Sequence, residues 1–163
     1  MDGSAARGGG TTGAGADTGR HLAERTAFQV YRLGELVFRA AETGLAALAL
    51  NGRTYFVLAG IEQGGPVSQQ DLSRMFGIDP TTIVAIVDEL ERAGSVRRER
   101  STVDRRRYEL HLTREGARTL RAAHRVMDEV EAEFLRPLAP ADVPHYRALT
   151  QQVLDRHRPV GRR

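Results

Sequence analysis

From Leu22 onward, apolar residues recur at helical spacing: Leu22, Val30, Leu33, Val37 and Ala40 fall on one face, with Phe28, Tyr31 and Leu36 widening it. This predicts a first helix from Thr18 to about Thr43, interrupted or ended by Gly44. A second apolar stretch, Leu45 to Leu50, leads into a helix from Arg53 through Ile61 that stops at Gly64-Gly65-Pro66. Ser68-Gln-Gln-Asp71 then opens a third helix as a capping box with Asp in place of Glu; Leu72, Met75 and Phe76 form its buried side and Gly77 closes it. Asp79 caps a fourth helix with Pro80 at the first helical position, Ile83, Ile86, Val87 and Leu90 as its buried stripe, and Gly94 at its end. Beyond Gly94 the period changes to two. Tyr108, Leu110 and Leu112 face one way and Glu109 and His111 the other, with Val96 to Arg100 as the partner strand and Ser101 to Asp104 as the turn. Helical spacing resumes from Arg114 to Leu135, with Leu120, Met127, Val130 and Phe134 on one side. Pro137 and Pro140 break it, and a last helix runs from Ala141 to about Arg156, carrying Val143, Tyr146, Leu149, Val153 and Leu154. The expected fold is mainly α with a small β wing: two short helices across a glycine turn, then a hairpin, is a winged helix-turn-helix.

Charge sharpens that outline. Residues 97 to 107 hold six arginines against Glu99 and Asp104, a local excess of 6 − 2 = +4 in a chain whose net charge is +3. An arginine-tipped hairpin after a helix-turn-helix points to DNA, although an isolated cluster of this kind is also compatible with a solvated hairpin. The chain has no lysine, so every cationic contact is made by a planar, permanently charged guanidinium. It has no cysteine either, which excludes disulfides, thiolate metal sites and thiol switching. The five histidines lack metal-ligand spacing, and no nucleophile elbow, phosphate loop or dinucleotide fingerprint is present, so no metal, cofactor or catalytic residue is expected. No apolar run approaches the ~20 residues of a membrane span, and cytoplasmic residence is expected. Residues 1–19 include seven glycines and almost no large apolar groups, which predicts a disordered tail.

The string from Ile78 through Gly94, followed by Asp104-Arg-Arg-Arg-Tyr-Glu-Leu-His-Leu-Thr-Arg-Glu-Gly116, resembles the MarR family of bacterial transcription regulators. The positions that carry the resemblance are Leu90, Glu91, Gly94, Asp104, Arg106, Leu110, Leu112, Thr113 and Gly116. It implies a MarR-type domain over residues 20–163, with a winged lobe at 51–113 and dimerisation helices at 20–50 and 114–157. It also implies a homodimer that straddles double-stranded DNA, with each recognition helix in a major groove and each wing in the adjacent minor groove. On this pattern Arg106 enters the minor groove and Asp104 holds its guanidinium, with Arg98, Arg100, Arg105 and Arg107 as further wing contacts. Pro80, Thr81, Val84 and Ala85 face the major groove, with Thr82 near the backbone. Relatives often place an arginine or a hydroxyl where Val84 and Ala85 stand, so thymine methyl contacts are expected in place of arginine–guanine pairs. Ser68, Gln69 and Arg74 are candidate phosphate anchors, and Asp88, Glu89 and Glu91 should face away from the backbone, pairing with Arg92 or Arg97. Family geometry suggests Tyr31, Arg39, Tyr55 and Phe56 for a small, often aromatic or phenolic effector, although a plain core role fits Tyr55 and Phe56 equally well. The functional expectation is a repressor released from a pseudo-palindromic operator by such an effector. The competing expectations are a winged-helix module for protein partners and a small-molecule-binding protein that leaves DNA alone.

Overall fold

A computed structural model of the chain describes residues 21–157. The glycine-rich segment 1–19, the start of the first helix at Thr18 and the extreme C-terminus lie outside the described residues. The chain forms two compact units, divided between Leu36 and Val37. Helix α1 runs over Thr26–Leu45, α2 over Gly52–Gly64, α3 over Gln69–Phe76 and α4 over Pro80–Arg92; β1 (Val96–Arg100) and β2 (Tyr108–Leu112) follow, then α5 (Arg114–Leu135) and α6 (Val143–Arg156).

Two expectations for the first helix are corrected. Leu22 lies in a helical stretch at residues 21–23 that breaks at Glu24 and Arg25, where the Arg25 amide donates to the Leu22 carbonyl (3.1 Å), and the long helix begins only when the Arg25 carbonyl accepts from Gln29 (3.0 Å). Nor does Gly44 end the helix. The chain stays helical to Leu45, and Gly44 instead gives room to Val126 of α5, whose Cγ1 would stand 2.6 Å from an added Cβ. Asn51 then caps α2 through a reciprocal pair with Thr54: the Thr54 amide donates to Asn51 Oδ1 (2.9 Å) and the Asn51 amide to Thr54 Oγ1 (2.8 Å). Gly60 lets α2 approach α3, since a Cβ there would meet Leu72 and Phe76 at 2.8 Å.

The lobe core is built where α2, α3, α4 and the start of α5 close over one face of the hairpin. Leu45, Leu58, Leu72, Ile83, Leu110 and Leu120 are fully enclosed, each contributing on the order of 2 kcal/mol by burial. Ile83, Ile86, Val87 and Leu90 are buried as their spacing predicts. Met75 is not: it is 51% exposed, because α3 lasts only two turns and presents Leu72 and Phe76 inward. The strands pair antiparallel with Val96 opposite Leu112 and Arg100 opposite Tyr108, and the Leu110 amide reaches across to the Val67 carbonyl (2.8 Å), tying β2 to the residue just before the Ser68 cap. Outside this core much of the apolar pattern is uncovered. Val30, Tyr31, Leu36 and Phe38 of α1 are exposed, as are Leu149, Val153 and Leu154 of α6, a helix with no buried residue.

The lobe closes on itself at Thr113. Its amide donates to the Ser95 carbonyl (3.0 Å), its hydroxyl donates to the Gly94 carbonyl (2.6 Å), and the same hydroxyl caps α5 by accepting from the Gly116 amide (3.0 Å). Gly116 is required there, since a Cβ would lie 1.9 Å from the Ser95 carbonyl oxygen. Replacing Gly116 by Ala is therefore expected to cost a net ~2 kcal/mol of stability despite the better helix propensity of alanine. Thermal unfolding should show a midpoint several degrees lower, and an unchanged midpoint would mean that the junction yields freely.

Candidate nucleic-acid interface

The helix-turn-helix begins with a dense polar node. The Ser68 amide (3.0 Å) and hydroxyl (2.6 Å) both donate to Asp71 Oδ2, while Ser68 Oγ accepts from the Asp71 amide (3.3 Å). Arg74 donates to the other Asp71 oxygen (2.5 Å), and Arg107, at the foot of β2, donates to Ser68 Oγ (2.9 Å) and Asp71 Oδ2 (3.2 Å). The Ser68 hydroxyl bond, with the Arg74 and Arg107 charges assisting and burial opposing, holds the Asp71 carboxyl below its ordinary range. Two of the expected phosphate anchors are thus engaged within the protein: Ser68 is buried with its hydroxyl spent on the cap, and Arg74 is paired. Gln69 is half-buried and its shielded Nε2 has no protein partner, whereas Gln70 beside it is exposed.

The turn is set by Gly77 at a left-handed φ of 64° and by the Ser73 hydroxyl on the Ile78 carbonyl (2.7 Å). Asp79 then caps α4, accepting from the Thr82 amide (2.9 Å) and from the Thr82 hydroxyl, and those bonds hold its carboxyl below the ordinary range. The Thr82 side chain is consequently committed to the cap. Pro80, Thr81, Val84 and Ala85 stand exposed opposite the buried stripe, Val84 by 42%. Pro80 and Val84 join Ser68, Gln69 and Gln70 of α3 and Arg107 and Tyr108 of the wing around one open groove of about 380 Å³.

The wing loop is held by its own backbone. Ser101 Oγ accepts from the amides of Val103 and Asp104 (both 3.2 Å), and the Ser101 amide donates to the Arg107 carbonyl (3.0 Å). Asp104 accepts from the Arg106 amide (3.0 Å), so it shapes the turn that presents Arg106 and does not hold its guanidinium, a correction to the expected pair. Its Asx-type bond two residues ahead uses the carboxylate locally. Arg105 and Arg106 are exposed beside Val103, which is 94% exposed at the tip, and Arg100 lies over the Tyr108 ring at 5.7 Å.

Arg98 departs furthest from expectation. It sits opposite Leu110 on the inward face of the hairpin, and its fork reaches α4, donating Nη2 to Asp88 (2.5 Å) and Nη1 to Glu91. Burial works against its charge, but the two carboxylates outweigh that and raise its pKa. Asp88 and Glu91 of α4 therefore pair with Arg98, while Arg97 pairs with Glu99. The missed signal was the alternation: Arg98 shares parity with Val96, and Asp88 and Glu91 lie one helical turn apart on α4.

The effector candidates have separate fates. Tyr31 and Arg39 are exposed on α1. Phe56 stacks on Phe76 (6.0 Å) and remains partly exposed. The Tyr55 hydroxyl meets His124 Nδ1 (3.1 Å), whose Nε2 meets Glu62 (3.2 Å), and burial followed by the carboxylates of Asp128, Glu62 and Glu131 raises the phenol pKa. Tyr55 packs, partly buried, against the core, with its hydroxyl in a polar chain between α2 and α5. Among the described residues no cluster of three or more His, Cys, Asp or Glu side chains is arranged to hold a metal ion.

Comparison with known proteins places this geometry. The MarR family model matches residues 50–108. A candidate transcriptional regulator for the hcr operon of Thauera aromatica is 30% identical over 120 residues, covering 67% of this chain and 72% of that protein. Among solved structures, CouR from Rhodococcus jostii RHA1 bound to p-coumaroyl-CoA is 31% identical, with a TM-score of 0.73 over 81% of this chain and 93% of its own. A mutant MarR from E. coli complexed with operator DNA shares the fold at 20% identity, with a TM-score of 0.70 over 77% of this chain and 91% of its own.

The Asp71 node carries a pH signature. A carboxyl whose pKa is lower folded than unfolded stabilises the fold above its unfolded value, about 4, and loses that contribution as pH falls through the folded value. Unfolding midpoints of wild type and Asp71→Asn should differ most near neutrality and converge in acid; a gap independent of pH would mean that the charge of Asp71 is immaterial.

Proposed function

The chain belongs to the MarR family of transcriptional regulators, and on that premise we propose that it is a dimeric repressor, released from a pseudo-palindromic operator by a small aromatic effector. The observation that carries the DNA reading is the groove in which Pro80 and Val84 of the recognition helix and Arg107 and Tyr108 of the wing line one surface, with the unpaired Arg105 and Arg106 in the loop beyond. In the reading, α4 enters a major groove and Thr81, Val84 and Ala85 meet base edges there. Their methyl groups suit thymine C5-methyls, and none of them offers the donor fork that reads guanine. Arg106, presented by the Asp104 turn, enters a minor groove, where narrow A·T-rich segments attract a guanidinium. The phosphate anchors are the exposed Gln70 and the free N–H groups of Gln69 and Gln70 at the start of α3, which favour anions.

The uncovered apolar residues of α6 supply a dimerisation surface, and those of α1 supply another. Two copies related by a dyad read half-sites about one helical turn apart, on the order of 10 bp. The relative bound to p-coumaroyl-CoA supports an aromatic effector, for which Arg39 and Phe56 offer a cation and a ring. The effector acts through unequal affinity for the DNA-competent and incompetent states. No single helix among the described residues is long and apolar enough to cross a membrane, in keeping with a protein that works on DNA in the cytoplasm.

Footprinting on the protein's own promoter region, with a panel of aromatic acids and their thioesters, tests the whole reading. Arg106→Ala is expected to weaken operator binding about tenfold to a hundredfold, on the order of 1–3 kcal/mol, without altering thermal unfolding. Wild-type affinity in a gel-shift titration would remove Arg106 from the interface. Randomised-site selection should return A·T pairs beneath Val84 and Ala85; fixed G·C pairs there would contradict the thymine contacts.

A further inference from the structure

We propose that Arg98 is a positioning residue: it locks the wing to the recognition helix and masks two carboxylates that would otherwise face the DNA backbone. The proposal rests on the DNA-binding reading above and reassigns a residue that the charge pattern alone places among the DNA contacts.

Three observations carry it. The first is commitment. Both terminal nitrogens of Arg98 are occupied, each by a carboxylate from a different turn of α4, and its side chain is 21% exposed, against 47% for Arg107 and 55% for Arg97. To meet a phosphate it would have to leave two anions and expose a stem lying on the inner face of the hairpin opposite Leu110.

The second is where the carboxylates lie. Val84, Asp88 and Glu91 follow one another at i, i+4 and i+7, so the apolar stripe that faces the groove continues directly into two acids. They stand in the C-terminal half of α4, where the helix dipole is itself negative, and bare they would repel a phosphate backbone. One guanidinium spanning both offsets that repulsion. A lysine, a compact point charge, lacks the planar fork that spans two carboxylates.

The third is mechanical. Between α4 and β1 the backbone turns through Gly94 at a φ of 70°, and the cross-links from hairpin side chains to the helix-turn-helix described here are Arg98 to α4 and Arg107 to the α3 cap. Arg107 is half-exposed and reaches Ser68 Oγ and Asp71 Oδ2 from a single nitrogen, whereas Arg98 sets each terminal nitrogen on its own carboxylate. Val96 and Leu110 in the shared core and the Thr113 closure seat the hairpin, and Arg98 adds the ion-pair link between β1 and α4 that sets the angle between wing and recognition helix.

The test uses full-length dimer, the variants Arg98→Met, Arg98→Lys and Asp88→Ala/Glu91→Ala, and the duplex that wild-type protein selects from a random pool. Without DNA, hydrogen exchange of the hairpin amides should quicken at least tenfold in Arg98→Met and in Asp88→Ala/Glu91→Ala, while α2 and α5 stay at wild-type rates. Unchanged hairpin protection overturns the lock whether or not the protein binds DNA. On DNA, Arg98→Met should lose tenfold or more in affinity and its minor-groove footprint while keeping the major-groove footprint, and Arg98→Lys should recover little of either. The slope of log affinity against log salt should stay at its wild-type value, because no phosphate contact is lost. A slope shallower by about one would make Arg98 a phosphate ligand. Removing both acids should also erase the wing footprint; tighter binding with that footprint intact would show Arg98 to be a DNA contact held in check, and the proposal would fall. Wild-type protein that selects no duplex would count against the regulatory reading alone, since the exchange measurement still decides the lock.

Discussion

The lobe depends on one backbone contact, where the Ser95 carbonyl lies against Gly116 in a space that admits no side chain. Residues at that junction are 18 to 21 positions apart in sequence, with the entire hairpin between them. Thr113 makes the closure specific: its amide and hydroxyl take the carbonyls left open as α4 ends, and its hydroxyl then starts the next helix. Recognition helix, hairpin and α5 are thereby referenced to one point. Leu110 and Leu120, buried on either side of it, convert the polar closure into packing. The family resemblance at Leu110, Leu112, Thr113 and Gly116 has this geometry as its physical content.

Electrostatics around the reading surface follows a consistent economy. Carboxylates close to the groove are each given a task that satisfies them internally: Asp71 and Asp79 cap helices, Asp104 shapes the wing turn, and Asp88 and Glu91 share one arginine. Arginines divide in the same way. Those near carboxylates are bound to the frame, while Arg105 and Arg106 extend from a loop whose backbone is fixed by Ser101 and Asp104. The positive potential at the wing tip therefore comes from two side chains placed by short-range hydrogen bonds, and the charge excess over 97–107 overstates how much of it is available to a partner.

Local chemistry was legible at the helix caps, where residue type and spacing admit one partner. Ser68 and Asp71, Asp79 with Pro80 and the buried stripe of α4 sit as their spacing requires, whereas in β2 only Leu110 of the expected apolar face is buried and Tyr108 is exposed. Legibility failed where one residue type serves two purposes. Glycine marks helix ends and close approaches alike, so Gly44 read as a terminus when its neighbour is Val126, 82 positions later in the chain. Aspartate two residues before an arginine accepts either an amide or a guanidinium, and at Asp104 the amide is the partner. Charge summed along the chain puts Arg98 with the DNA contacts, whereas the pleat of β1 turns alternate side chains to opposite faces and sets Arg98 opposite Leu110. The apolar stripe of α1 predicted burial that the structure does not show, since of that helix only Ala41 and Leu45 are enclosed.

Helix α6, the last among the described residues, has no buried residue of its own. In the dimer proposed above a second copy covers that apolar surface, and mass action would then tie the folded state to protomer concentration. At low copy number a regulator of this kind is depleted twice, once in the number of dimers and again in the lifetime of the unpaired chain. Operator occupancy then rises more steeply than in proportion to synthesis, so a gene under such control responds to expression level with a threshold that no single contact on the DNA side provides.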